Sequence, residues 1–200
     1  ADIELDTILC RGQEYQLIAG GSQDVHADCW KGYEWDFEIS GRPITTQDDT
    51  IPFNFPTSGD EIIQLVVEDI NGCTDTTTLD ATVYGVDASF IQSDTSICLN
   101  GTVPVDFIDT SVGDTTIVTW SWSFGSDEQN PSNIFTGDFM DTIRLTLVAS
   151  DVFGCPGTVE GFVRVYQPFS AIIAEPFPAN ICIGEEVDFL ATDFTGGGSF

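Results

Sequence analysis

The chain has 200 residues, of which 33 are Asp or Glu and only 5 are Lys or Arg, so its formal net charge is -28. A field of this sign repels nucleic-acid phosphates and anionic membrane surfaces, which excludes both classes of partner. No run of 18 apolar residues occurs, so no segment is expected to insert into a membrane. Hydrophobic residues make up 42% of the chain, which is enough for packed cores.

The first 85 residues are a series of short predicted strands. Side chains alternate in three stretches, at 15–19, 33–37 and 79–83, and residues 62–67 form a dense apolar strand. Alternation with a period of two places one row of side chains on one face of a sheet. No stretch longer than a few residues has helical periodicity, so the fold class is predicted to be all-β.

The same frame continues along the chain. Alternating stretches recur at 103–107, 118–124, 143–149 and 159–165, and a third copy begins near Phe169. Cys10, Cys98 and Cys182 lie near the starts of the three copies, ahead of the tryptophan strand in the first two, and are 88 and 84 residues apart. A period near 85 is too long for a solenoid and is typical of a small β-sandwich.

The predicted organisation is therefore tandem antiparallel β-sandwiches. The domain limits are 1–85, 86–168 and 169–200, the last being the N-terminal part of a truncated third sandwich that we expect to continue in a longer polypeptide. The joints at 84–86 and 166–168 are very short, and the second contains Pro168. Short joints restrict hinge motion, so the array is expected to form an extended rod.

Cysteines give the strongest chemical signal. Cys10 and Cys73 occupy the start and end of the first repeat, and Cys98 and Cys155 occupy the matching places in the second. Both pairs are predicted to be disulfides, each closing a loop of about 60 residues and contributing about 4 kcal/mol.

The remaining two cysteines have no partner in this scheme. Cys182 is expected to pair beyond position 200, while Cys29 is left as a free thiol, a local bridge or an inter-chain link. A metal site is disfavoured, because the chain has no C-x-x-C pair and a single histidine, His26. Disulfides indicate an oxidising compartment.

The tryptophans divide into core and surface candidates. Trp35 and Trp122 lie in the densest alternating strands and are predicted to be buried core residues and not sugar platforms. Trp30 lies in a polar excursion and is the candidate for a surface contact.

Carboxylates beside turns are candidates for calcium ligands at Asp48-Asp49 and Asp69-Ile-Asn71-Gly72. No EF-hand pattern is present, and Asx residues next to glycine more often fix turns through their own backbone, so no metal site is assigned. No nucleophile elbow or phosphate-binding glycine loop occurs, so no catalytic residue is assigned and the chain is predicted not to be an enzyme.

The second repeat carries a set of recognisable motifs: Trp122-Ser-Phe124-Gly125, Asn130-Pro131, Asp151-Val-Phe-Gly154-Cys155 and Val163-Arg-Val165. With a preceding Cys-x-Gly they resemble the PKD domain, and more closely the cysteine-bearing PKD-like repeats in giant surface proteins of Bacteroidota. Ser126-Asp127 departs from the usual W-x-F-G-D-G turn, and the first repeat has 38–41 in place of that turn. The resemblance covers the whole chain.

This resemblance implies an Ig-like sandwich that serves as spacer and binding module in secreted adhesins and filaments, commonly exported by the type IX route. It also implies O-glycosylation at Asp-Thr followed by a small or aliphatic residue, against the alternative of ordinary strand threonines. The matching threonines are Thr7, Thr50, Thr76, Thr115 and Thr142.

The leading functional prediction is a non-catalytic structural and adhesive segment of a long secreted or cell-surface filament protein. The alternative is an accessory module, substrate-binding or spacer, of a secreted enzyme that degrades polysaccharide or protein. A third prediction is a homo-oligomeric fibre, with chains bundled through a face such as the Cys29-Trp30 loop. The ligand, a surface or a glycan, is left open.

Overall fold

A computed structural model of the chain describes residues 1–20, 30–37, 43–98, 101–136, 141–166, 170–173 and 191–195. Every regular element in these ranges is a β-strand, so the all-β prediction is confirmed. Among these residues, no helix is long and apolar enough to cross a membrane.

The described residues among positions 1–85 form two sheets. Their strands are β1 (Ile8–Cys10), β2 (Glu14–Ile18), β3 (Trp30–Phe37), β4 (Ile44–Thr46), β5 (Thr50–Asn54), β6 (Gly59–Asp69) and β7 (Thr74–Tyr84). One sheet has the order β1-β7-β6-β3-β4 and is antiparallel except for the parallel pair β1–β7. The other pairs β2 with β5, and Glu4 bridges to Ile18 beside them.

One buried cluster joins these two sheets. Leu17 and Ile51 enter it from β2 and β5, while Trp35, Leu65 and Val83 enter it from β3, β6 and β7. Alternate residues of each strand contribute, as the period-two pattern predicts. Positions 1–85 therefore form a β-sandwich with its core between the sheets.

Positions 86–166 repeat these pairings. Their strands are β8 (Val86–Asp87), β9 (Phe90–Gln92), β10 (Ser96–Cys98), β11 (Val105–Asp109), β12 (Val112–Gly113), β13 (Ile117–Trp122), β14 (Ser132–Asn133), β15 (Thr142–Asp151) and β16 (Pro156–Tyr166). The sheet order β10-β16-β15-β13 matches β1-β7-β6-β3, and β14-β11 matches β5-β2. The first pair is again parallel. The internal repeat inferred from sequence is thus a repeat of topology.

Buried residues of this second set again alternate along their strands. They include Val105, Phe107, Trp122, Leu145, Leu147, Ala149, Val163 and Val165. Further along, β17 (Ser170–Ile173) pairs antiparallel with β18 (Ala191–Thr195).

The chain packs as two compact units. One comprises Ala1–Phe90, Asp109–Gln129 and Leu147–Val159, and the other comprises Ile91–Ile108, Asn130–Thr146 and Glu160–Phe200. These units describe local packing and do not test where a repeat begins. The domain limits at 85 and 168, and the extended rod, therefore stay predictions.

Candidate functional site

The structure contains a disulfide between Cys10 and Cys155, with their Cα atoms 5.0 Å apart. Both cysteines lie in the first compact unit, and Cys155 is only 1% exposed. The predicted pairs Cys10–Cys73 and Cys98–Cys155 are therefore wrong. Four cysteines were correctly assigned to structurally matching places, but the bond joins two different repeats and not the ends of one.

The length of one strand explains this correction. Cys10 lies beside Tyr84 in the parallel pair β1–β7, whereas Cys73 immediately precedes the other end of β7 at Thr74. Ten residue steps along a strand span about 33 Å. A disulfide needs Cα atoms less than about 7 Å apart, so Cys10 and Cys73 cannot bond. The same strand geometry separates Cys98, beside Tyr166, from Cys155.

Two of the other four cysteines lie within the described residues. Cys73 and Cys98 are free and exposed. Cys29 and Cys182 lie outside the described residues, so the predictions made for them remain predictions.

An aspartate shapes the hairpin that presents Cys155. Asp151 Oδ1 accepts the backbone N–H groups of Phe153 and Cys155, both at 2.9 Å. Gly154 closes the turn at φ 82°, a conformation that costs glycine little. This hairpin directs Cys155 into the protein interior, where its sulfur bonds Cys10.

Arg11 follows Cys10 and contacts the segment that connects the repeats. Its guanidinium donates to the Val86 carbonyl at 3.3 Å and to Asp87 at 2.5 Å. On the same segment, the Gly85 N–H donates to Asp114 Oδ2 at 2.7 Å, and the Asp114 N–H donates to the Gly85 carbonyl. The connecting segment is therefore held from two sides by polar contacts.

Apolar contacts at the same place complete the junction, by which we mean residues 10–11, 84–87, 114 and 153–157. The rings of Tyr84 and Phe153 lie 4.6 Å apart. A Cβ at Gly157 would lie 2.2 Å from the Val86 carbonyl oxygen, so only glycine permits this backbone approach. The sequence singled out Cys10, the joint at 84–86 and the motif that ends at Cys155, but it did not indicate that they meet, and Arg11 and Gly157 belong to no motif.

The predicted core tryptophans are confirmed, since Trp35 and Trp122 are both buried. The Trp122 indole N–H donates to the Glu128 carbonyl at 2.9 Å, and its ring contacts Phe90 and Phe124. The side chain of Trp30 lies outside the described residues, so its surface role stays a prediction.

The predicted glycosylation sites differ in exposure. Thr7, Thr76 and Thr142 are exposed, and Thr50 is half-buried with its hydroxyl donating to Asp49. The hydroxyl of Thr115 is buried although the residue as a whole is half-buried, which disfavours a glycan at Thr115. It sits next to Asp114, whose contacts with Gly85 hold this loop in place.

The carboxylates considered for calcium act as turn residues. Asp69 Oδ1 accepts the N–H groups of Cys73 and Asn71, each at 2.8 Å, which is the arrangement of an Asx turn. The Cys73 N–H, with further help from Asn71, lowers the pKa of Asp69 from its ordinary value. Within the described ranges, no group of three or more His, Cys, Asp or Glu side chains is placed to hold a metal ion.

An open groove of about 630 Å³ lies on the first sandwich. Its lining includes Lys31, Glu34, Thr45 and Glu68, and the Lys31 ammonium pairs with Glu68 at 2.6 Å. Charged and hydroxyl-bearing side chains thus line part of the groove, beside apolar surface.

No protein-family model and no curated protein matches this chain. Similar solved structures include fibronectin(III)-like modules of Clostridium thermocellum CbhA, at 11% identity and TM-score 0.35, covering 83% of this chain and 93% of that one. A 1.5-MDa bacterial ice-binding adhesin is similar at 11% identity and TM-score 0.31, covering 86% and 66%.

A third similar structure is Bacteroides ovatus SGBP-B in complex with a mixed-linkage heptasaccharide, at 13% identity and TM-score 0.25, covering 92% and 51%. The sandwich assignment for this chain rests on its own strand pairings and buried cluster.

Proposed function

We propose that this chain is a non-catalytic structural and adhesive segment of a long secreted or cell-surface filament protein, in which tandem sandwiches act as a stalk for attachment. The observation that carries the proposal is the Cys10–Cys155 bridge, which ties the first strand of one repeat to a hairpin of the next. Disulfides persist in oxidising surroundings, which supports an extracellular location.

The bridge has a direct mechanical consequence. Tension applied along the chain passes from Cys10 through the two sulfur atoms to Cys155, so the intervening residues carry no load while the bond is intact. These residues include the strands β3, β6, β7 and β15. A stalk that must transmit force without unfolding benefits from this arrangement.

The acidic surface supports the same role. A net charge of -28 keeps neighbouring copies apart and discourages sheet edges from associating. Ions in a saline medium screen the self-repulsion within one chain.

Single-molecule stretching tests the mechanical proposal. With handles at residues 1 and 200, the reduced chain should release about 50 nm more contour length than the oxidised chain, because 145 residue steps lie behind the bridge. Oxidised Cys73→Ser protein serves as the matched control and should remain shielded. Release of the full contour length from the oxidised chain would contradict a load-bearing role.

Glycosylation of Thr7, Thr50, Thr76 and Thr142 forms part of the proposal. Three of these threonines are exposed, which supports their access to a transferase. Intact-mass analysis of native protein should show added hexose, and replacement of the modified threonines by alanine should remove it. A native mass equal to that of the bare polypeptide would eliminate this part.

The groove on the first sandwich favours the second candidate, an accessory module of a secreted degrading enzyme. The charged and hydroxyl-bearing side chains in its lining suit the hydroxyl groups of a glycan chain. Binding to a panel of polysaccharides, compared between the wild-type chain and Glu34→Ala, tests this candidate. Retention on a polysaccharide that depends on Glu34 would favour the accessory role over the stalk.

A further inference from the structure

Cys98 occupies in its repeat the position that Cys10 occupies in the first. Cys98 ends β10 and is aligned with Tyr166 of the parallel neighbour β16, as Cys10 ends β1 and is aligned with Tyr84 of β7. The two edge pairs share the same length and register. Cys98 is therefore presented at the same corner of the sheet as the bonded Cys10.

Cys73 occupies the position of the bonded Cys155. Each follows an aspartate by four residues, and each aspartate accepts the N–H of its cysteine through Oδ1. Gly72 and Gly154 both have φ 82°. The hairpin that delivers Cys155 to Cys10 thus exists a second time, with its thiol free.

The residues around the free thiols resemble those of the junction, but no partner hairpin among the described residues covers them. Tyr84, beside Cys10, contacts the Phe153 ring of the incoming hairpin, whereas Tyr166, beside Cys98, is 41% exposed. Cys98 and Cys73 are both exposed, while Cys10 and Cys155 are buried. An exposed aromatic ring and an exposed thiol lie where the first repeat binds its neighbour's hairpin.

We propose that Cys98 and Tyr166 form a docking edge for the hairpin cysteine of another repeat of this kind, and that Cys73 is the hairpin thiol that bonds the first-strand cysteine of another. Cys10–Cys155 is then one of a series of disulfides, each of which links one repeat to the next. The inference rests on the tandem-repeat part of the proposed function and is independent of what the filament attaches to.

The bond forms by thiol–disulfide exchange. A thiolate at Cys98 attacks a low-molecular-weight disulfide such as oxidised glutathione, forming a mixed disulfide and releasing one glutathione thiolate. The hairpin thiolate attacks the Cys98 sulfur, forms the protein disulfide and releases the second glutathione. Two protein thiols are oxidised and one glutathione disulfide is reduced to two thiols.

A second copy of this chain supplies the partner in the test, because Cys98 of one copy and Cys73 of another have the complementary roles. The chain carrying Cys29→Ser and Cys182→Ser is oxidised in a glutathione buffer, and its cross-links are mapped by mass spectrometry. Docking predicts head-to-tail oligomers in which Cys73–Cys98 cross-links exceed the same-residue cross-links at least tenfold. Random collision of two equally exposed thiols gives only a twofold excess of Cys73–Cys98 over each same-residue cross-link.

Two aromatic variants sharpen the result. Tyr166→Ser should lower the yield of the Cys73–Cys98 cross-link several-fold, whereas Phe162→Ser, on the same strand and 42% exposed, should leave it unchanged. Circular dichroism verifies that both variants remain folded. Cross-links near the random ratio, a bridge within one monomer, or no oligomers at high protein concentration would each overturn the proposal.

Discussion

The hairpins at Asp69–Cys73 and Asp151–Cys155 have the same backbone geometry but differ in the bonding of their cysteines. In both, an aspartate Oδ1 accepts two backbone N–H groups, and a glycine at φ 82° precedes the cysteine. Cys155 is buried and bonded to Cys10, whereas Cys73 is exposed and free. Local sequence therefore builds the hairpin, and the neighbouring first strand decides whether its thiol is bonded.

The aspartates of the two hairpins also differ in burial. Asp151 is 2% exposed, and its Oδ2 is buried without a hydrogen-bond partner. Asp69 performs the same turn-forming role at a half-buried position. One hairpin is thus part of a packed junction, while the other is a surface turn with the same hydrogen bonds.

The largest expected effect is removal of the bridge. Cys155→Ser should lower the free energy of unfolding by about 5 kcal/mol, because the bond closes a loop of 145 residue steps in the unfolded chain. Cys73→Ser makes the same chemical change in the matching hairpin and should leave the free energy unchanged. Urea unfolding of both variants and the wild type under oxidising conditions measures the difference.

A shared loss in both cysteine variants would mean that Cys73 is bonded in solution. Equal stability of all three proteins would mean that the bridge contributes nothing, which would also remove the basis of the stalk proposal. Reducing agent should bring the wild type down to the level of Cys155→Ser and leave that variant unaffected.

The second effect separates the aspartates. Asp151→Ala leaves the N–H groups of Phe153 and Cys155 without an acceptor in a buried hairpin, and should cost about 2 kcal/mol. Asp69→Ala exposes equivalent N–H groups at a surface turn, where water replaces the carboxylate, so its cost should be clearly smaller. Thermal unfolding of the two variants gives the comparison, and equal losses would contradict the difference in burial.

The third effect should be alike in the two hairpins. Gly72→Ala and Gly154→Ala each place a Cβ at φ 82° and should each cost about 1 kcal/mol. No atom lies within 4 Å of the added Cβ at Gly154, so backbone strain alone is tested there. A much larger cost at Gly154 would show that the junction, and not the turn, sets the penalty.

Sequence patterns predicted much of this fold and little of its junction. Alternation around Trp35 and Trp122 identified buried strands, because burial on one sheet face is a local, periodic property. The cysteine pairing failed because position in a repeat does not say which end of a strand a residue occupies. The Asp-Thr motif likewise does not indicate whether its hydroxyl is buried, as it is at Thr115.

The contacts of the junction were harder to predict from the sequence. Arg11, Asp114 and Gly157 meet the connecting segment through distances set by the packed repeats. Arg11 and Gly157 belong to no motif, and Asp114 was singled out only as part of the Asp-Thr pattern at Thr115. One signal could have excluded the Cys10–Cys73 pair. The eleven residues of β7 separate Cys73 from the joint, a distance that a disulfide cannot span.

The smallest effect concerns the pH dependence of the exposed hairpin. The N–H of Cys73, then the contacts with Asn71, hold the pKa of Asp69 below its ordinary value in the folded chain. The folded state therefore binds fewer protons than the unfolded state, so the stabilisation is fully present above about pH 4. It is lost as the pH falls through the lowered pKa.

A carboxyl ¹³C titration of Asp69 by NMR measures that pKa directly, with the urea-unfolded chain as the reference at the ordinary value. Gly72→Ala should move the folded pKa back toward that reference, because a distorted turn weakens both N–H contacts, whereas Gly154→Ala should leave it in place. A folded pKa at or above the reference would show that the surface hairpin lacks the turn it shares with its bonded counterpart.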